Sequence, residues 1–238
     1  MHRSRLLPIV AFALVLAGCG NVQFTGSGSG AGDTSAPGET STQRHDVAVT
    51  RVDVDSDSGT VRVEAGADGS ARVDRTLRWS GDRKPVVTET VEGSVLRITA
   101  RCPGSGSDRC EAGLVVTVPA AAAATVQLRA GGVTVTGLSG DLDLTSNAGG
   151  VTGERLGATT VKAETSAGGV DLGFATAPRQ VDARSSAGSV TVTVPGGPYA
   201  VTADSSAGDA RVTVPTDPAA RSRITARSSA GDVTVTAG

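Results

Sequence analysis

The chain has 238 residues, of which 19% are charged and only 2% aromatic, with 32 Gly and 10 Pro; one domain with appendages fits that length. Hydrophobic residues make up 38% and are mostly Val and Ala, so any core is thin and built from small side chains. A net charge of −2 leaves no basic field for nucleic acid, and the two histidines, His2 and His45, fall in no segment that reads as core, which argues against His-based triads, His-ligated zinc and a His general base.

His2, Arg3 and Arg5 form a basic start, followed by an apolar run of twelve residues from Leu6 to Ala17. A spanning helix needs ~20 such residues, so residues 1–18 read as a secretory signal peptide. The run ends in Leu16-Ala17-Gly18-Cys19, which resembles the lipobox of bacterial lipoproteins. That resemblance implies cleavage before Cys19, acylation of Cys19, and a lipid anchor on the extracytoplasmic face of the cell membrane. Residues 19–45 then read as the lipidated Cys and a flexible tether, because Ser, Gly, Thr and Pro dominate them and cannot bury enough surface to order themselves. The Gly26–Gly32 stretch has no strand before it and no helix after it, so it is no phosphate loop.

Residues 46–238 read as the folded domain. Its first part, 46–129, is strand-like but irregular. Asp57-Ser58-Gly59-Thr60-Val61-Arg62-Val63 is a degenerate copy of the later repeat, and Arg75–Trp79 and Val86–Val91 read as longer strands around a Gly81 turn. This part is expected to continue the later architecture with wider rungs or a capping hairpin. Cys102 and Cys110 flank Pro103-Gly104-Ser105-Gly106. In an exported chain a disulfide is the default, contributing ~2.5 kcal/mol in the chain-entropy picture.

From residue 130 onward a unit repeats: two apolar residues in alternation, then Ser-Ser-Ala-Gly, then Val-Thr-Val-Thr. Its Ala recurs at Ala130, Ala148, Ala167, Ala187, Ala207 and Ala230, at spacings of 18, 19, 20, 20 and 23. A period near 20 is the mark of a solenoid. Within the unit, Leu142, Val161, Val181, Val201 and Ile224 occupy one position, and Val151, Val170, Val190, Ala210 and Val233 another. Alternation with period two makes each segment a strand with one buried face. The Ala-Gly step is then a corner that needs small residues and admits positive φ. The expected fold is all-β: a right-handed, single-stranded parallel β-helix with rungs of about 20 residues, ~9–10 rungs making roughly 45 Å of stack. On the outer face Glu164, Arg184, Asp204 and Arg227 alternate in sign from unit to unit, as does the row Asp143, Lys162, Asp182. Stacked in chain order, they would form charge ladders that fix register.

The lipobox, the tether, Trp79-Ser80-Gly81-Asp82, the Cys102/Cys110 loop and the Ser-Ala-Gly-Asp repeats at Ser206 and Ser229 together resemble the putative-adhesin, β-strand-repeat lipoproteins of high-GC Gram-positive bacteria. The resemblance covers residues 46–238. It implies the β-helix and an adhesin-like role, and it carries no catalytic residue and no cofactor with it.

Sites for chemistry are sparse. Asp53, Asp55, Asp57 and Glu64 nearly spell a calcium loop. However, Ser58 stands where Gly is required and strand-like residues flank the acids, so they read as exposed acids on two strands. Asp141 and Asp143 lie two apart and read as a solvated face rather than an acid–base pair. The leading reading is a membrane-tethered, non-enzymatic binding or structural module whose partner is a cell-wall polymer or an envelope protein. An envelope-stress accessory or sensor, and a polysaccharide-active β-helix enzyme, are the alternatives.

Overall fold

The computed structural model describes residues 38–238 apart from 68, 105 and 107. The segment expected to be a signal peptide, Cys19 and the expected tether as far as residue 37 lie outside the described residues. Every regular element among the described residues is a strand. The irregular part supplies β1 (Gly38–His45), β2 (Arg51–Ser58), β3 (Val61–Gly66), β4 (Ala71–Trp79), β5 (Val86–Glu92), β6 (Val95–Arg101) and β7 (Cys110–Pro119). The repeats supply pairs: β8 (Ala123–Ala130) with β9 (Val133–Thr136), β10 (Leu142–Ala148) with β11 (Val151–Leu156), and β12 (Thr160–Ala167) with β13 (Val170–Phe174). Then follow β14 (Gln180–Ala187) with β15 (Val190–Val194), β16 (Ala200–Ser205) with β17 (Ala210–Val212), and β18 (Arg223–Ala230) with β19 (Val233–Ala237).

The first strand of each pair enters one sheet and the second enters the other. The two sheets run β1-β4-β7-β3-β9-β11-β13-β15-β19-β17 and β5-β6-β2-β8-β10-β12-β14-β18-β16. Only β1, β4 and β5 pair antiparallel; the remainder form eight parallel two-strand rungs. Alternate residues of both sheets point inward and meet in a core of Val, Ala and Leu. Register carries the repeat into space: Leu142, Val161, Val181 and Ile224 stand in one column. Gly153 would leave a gap in such a column, but β11 bulges there and Leu156 fills the space.

The Ser-Ala-Gly corner has a specific construction. Gly131, Gly149, Gly168, Gly188 and Gly231 adopt φ between 126° and 145°, a region open to Gly. Just before each corner a buried hydroxyl reaches the neighbouring rung. Ser146 donates to Gly131 O (2.9 Å), Thr165 to Gly149 O (2.7 Å), Ser185 to Gly168 O and Ser228 to Gly188 O (both 2.8 Å). Ser56 occupies the same position, but its hydroxyl has no partner. Its rung faces the β6–β7 rung, where the Cys102–Cys110 loop replaces the Ala-Gly corner. Ser185→Ala is therefore expected to cost about 1–2 kcal/mol by stranding a buried carbonyl, whereas Ser56→Ala costs nothing. Urea unfolding of the two variants side by side measures the difference.

Three expectations are corrected. Gly38–His45, read as tether, form β1, paired along their whole length with β4 and tied by Thr42 Oγ1 to Asp74 (2.5 Å) and by Glu39 to Lys84 Nζ (2.5 Å). β4 and β5 stand on either side of the Gly81 turn as expected, but they form no capping hairpin: they do not pair with each other and join different sheets, β4 inside β1 in one and β5 at the edge of the other. Last, the rungs are not stacked in chain order. β2–β3 sits between β6–β7 and β8–β9, and β18–β19 sits between β14–β15 and β16–β17. Arg227 consequently stands beside Arg184, not beyond Asp204, and the strict alternation of the charge ladder is lost. Inner positions account for the order. β18–β19 offers Ile224, Ala226, Val233 and Val235, but β16–β17 only Val201, Ala203, Ala210 and Val212. The larger apolar set gains more by lying between two neighbours.

Candidate functional site

The outer faces of the two sheets differ in chemistry. That of the nine-stranded sheet is charged and compensated within itself. Asp53 contacts Arg51 (2.8 Å) and Arg97 (3.5 Å), and Asp57 contacts Arg101 (3.4 Å) and Arg129 (3.5 Å) and accepts from Cys102 N (2.9 Å). Asp55 pairs with Arg101. Further along, Glu164 meets Arg184 (3.1 Å) and Lys162 (3.3 Å), while Asp182 meets Arg184 (2.8 Å). The two adjacent arginines are thus each neutralised sideways, Arg227 by Asp204 at 3.3 Å.

The calcium-like acids do not converge. Asp53, Asp55 and Asp57 each face an arginine on this sheet, whereas Glu64 is on β3 in the other sheet beside Arg62. No group of three or more His, Cys, Asp or Glu gathers among the described residues. Asp141 and Asp143 are exposed; the first is near Thr159 (3.5 Å) and the second near Lys162 (3.8 Å), and nothing pairs them as acid and base.

The hydrogen bond from Arg101 holds the Asp55 carboxyl below its ordinary range, reinforced by the charges of Arg101 and Arg129. A depressed folded-state pKa gives stability that is present above the unfolded value, near 3.8, and is lost as pH falls through the folded value. The Tm difference between wild type and Asp55→Asn is expected at neutral pH and should shrink once pH falls through the lowered folded-state value. A difference unchanged by pH would contradict this.

Outer residues of the ten-stranded sheet are mostly uncharged hydroxyls along its middle. Thr134, Thr152, Thr191 and Thr234 form one row, interrupted by Asp171. Thr136 opens the next row, Glu154 and Gly173 interrupt it, and Thr193, Thr236 and Thr213 continue it, with Thr213 donating to Thr236 at 3.0 Å. Where threonines stand on neighbouring strands, as Thr134 and Thr152, Thr191 and Thr234, and Thr193 and Thr236 do, the strand spacing is ~4.8 Å. Toward the β1–β4 end the same face opens into a groove of about 780 Å³, floored by Gly113 and lined by Thr60, Arg62, Asp74, Thr76, Arg78 and Glu111. Gly113, in the middle of β7, adds no side chain to this groove.

Cys102 and Cys110 are joined in a disulfide. Their loop closes on Arg83, whose guanidinium donates to Pro103 O (3.1 Å), Gly106 O (2.6 Å) and Asp108 O (2.8 Å). The crosslink therefore holds a rigid corner rather than a reactive thiol.

His45 was passed over in the sequence. It lies half-buried between the sheets, with Nε2 2.6 Å from Glu89 on β5, and Glu89 also faces Arg75 at 3.3 Å. These three side chains lock the two sheets together at the capped end. Gly38–His45 carries no apolar residue, so no periodicity announced it as a strand.

Residues 20–237 match the profile of the family described as Toastrack DUF4097. The chain belongs to the Toastrack family. Toastrack folds are β-solenoid-like, in keeping with the two parallel sheets seen here. No curated protein matches the chain. Among solved structures it is similar to a "putative cell adhesion protein" from Clostridium sporogenes, at 12% identity and TM-score 0.43, covering 84% of this chain and all of that one. It is also similar to a "putative adhesin" from Bacteroides fragilis, at 15% identity and TM-score 0.42, covering 84% and 97%. A third is a "putative lipid binding protein" from Parabacteroides distasonis, at 10% identity and TM-score 0.30, covering 84% and 96%. These names describe adhesion and binding proteins, not enzymes.

Proposed function

We propose that this Toastrack protein is a lipid-anchored, non-enzymatic binding module of the bacterial cell envelope, whose ten-stranded sheet lies against a wall polymer or an envelope protein. The observation that supports this most directly is the contrast between the faces. The arginines and acids of one sheet satisfy each other, whereas the other offers rows of hydroxyls at strand spacing that lead into the Gly113 groove. A broad regular face suits an extended partner, which needs area and repeat rather than a cleft. In this reading the coil is right-handed, its rungs are about 20 residues long, and Cys19 carries the acyl anchor as in lipoproteins of high-GC Gram-positive bacteria.

The test uses the chain with Cys19→Ser and purified wall material. The pair Thr152→Arg and Thr191→Arg is expected to weaken retention at least ~10-fold, and the matched pair Thr125→Arg and Thr145→Arg on the other face to leave it unchanged. Equal losses would defeat the reading. Localisation is read separately: Cys19→Ser should release the protein from the membrane fraction and remove the mass of the acyl groups. Retention at unchanged mass would refute the anchor.

A further inference from the structure

The stack is closed at one end and open at the other. At the closed end β5 and β4 lie antiparallel across the outermost rung, and the His45–Glu89–Arg75 contacts join them. At the open end β16 and β17 have no strand beyond them in either sheet. Val192 and Val235 are 0% exposed, but Val212, at the equivalent inward position, is 38% exposed. The segment after β17 crosses this end at the start of β16, where Tyr199 N donates to Pro215 O and Asp217 N to Tyr199 O, and Thr216 and Pro218 line a pocket with Val201 and Val212.

Both free edges carry unused main-chain groups. Ala200 N and Ser206 N donate to Ser222 O and Ser228 O. Even-numbered residues of β16 thus face β18, and Val201, Ala203 and Ser205 turn their N–H and C=O outward. Likewise Thr213 N donates to Val235 O and Asp209 O accepts from Val233 N, which leaves Ala210 and Val212 with outward-facing groups on β17.

We propose that this end docks on the same end of a second copy, about a two-fold axis running along the strands, with β16 of each copy antiparallel to β17 of the other. This goes beyond the binding role proposed above and does not depend on it. Because a two-fold contact uses the same surface on both copies, the association closes at two and does not grow into a fibre. Such an axis leaves position along the strand unchanged, and β16 and β17 leave the same corner at Ala207-Gly208. Residues equally far from that corner therefore meet: Ala203 with Val212, Asp204 with Arg211 and Ser205 with Ala210. Three independent requirements are then met together. The outward main chain of Ala203 and Ser205 meets that of Val212 and Ala210. Inward positions face inward positions, as the pleat demands. Asp204 and Arg211, both on the outside, become opposite charges across each seam. The alternative axis, which sets β17 on β17, would place Arg211 against Arg211.

The test places Asp204→Cys and Arg211→Cys in separate full-length chains, each with Cys19→Ser, in mild detergent under oxidising conditions. A directly opposite antiparallel pair has Cα atoms ~4.5–5.5 Å apart, within disulfide reach. A linked dimer is expected only when the two chains are mixed. Self-linking of the Asp204→Cys chain alone would overturn the register, and no linkage in any combination would overturn the interface. Sedimentation velocity gives a second readout. Val212→Lys points a charge into the seam and is expected to weaken self-association at least ~10-fold without unfolding the chain; an unchanged dimer would also overturn the proposal.

Discussion

Gly149→Ala is expected to prevent folding, or to cost at least ~3 kcal/mol in urea unfolding. Gly149 has φ +141°, which a residue with a Cβ rarely adopts, and its added Cβ would lie 2.1 Å from Gly131 O and 2.5 Å from Gly131 C. Neither atom can move freely. Gly131 O already accepts from Ser146, and Gly131 N donates to Ala148 O at 2.7 Å. The corners thus form a continuous backbone stack with no room for a methyl group. Gly132→Ala is the matched control, because its added Cβ would come no nearer than 3.8 Å, to Gly150 O, and its φ lies outside the left-handed region. Its expected effect is below about 0.5 kcal/mol. Similar losses in the two variants would show that the corner is not the tight point of the stack.

Val235→Asp and Val212→Asp test the order of the rungs. The two valines hold one position of the repeat and pair directly across β19 and β17. Val235 lies between Val192 and Val212 with no exposed surface. A carboxylate there would be buried without a partner, at a cost on the order of 4 kcal/mol or with failure to fold. Val212 borders the open end, so at concentrations where the chain is monomeric Asp there should change stability by only about 0.5 kcal/mol. A stack built in chain order would reverse the result, with the last rung of the chain tolerant and the one before it intolerant. Unfolding midpoints of the two variants decide between the orders.

Much of the fold was legible because the repeat is strict. From Val133 to Val194 every apolar alternation became a strand, and each Ala-Gly became a corner with the glycine at positive φ. Small residues at a sharp, close-packed turn leave few other solutions. The irregular part was legible in outline: strands were expected there, and the disulfide between Cys102 and Cys110 is present. β1 was missed because GETSTQRH buries little but Ser41 and is held by its main chain and by ion pairs with residues far along the chain. The Gly113 groove and the His45–Glu89 contact depend on how β4, β5 and β7 cross, which no local pattern encodes.

The sequence by itself determined the strand content, the inward and outward faces and the corner chemistry, because these follow from period-two alternation and the sterics of a single turn. It also determined the composition of each outer face, position by position within the repeat. Only the tertiary structure decided which rung lies beside which. Neighbouring repeats have nearly the same pattern and register, so local rules permit several stacking orders. The choice falls to the total apolar burial, which places Ile224, Val233 and Val235 inside and leaves Val201 and Val212 at the end. That choice set Arg227 beside Arg184, put Asp204 and Arg211 on a free edge, and left one end of the molecule open.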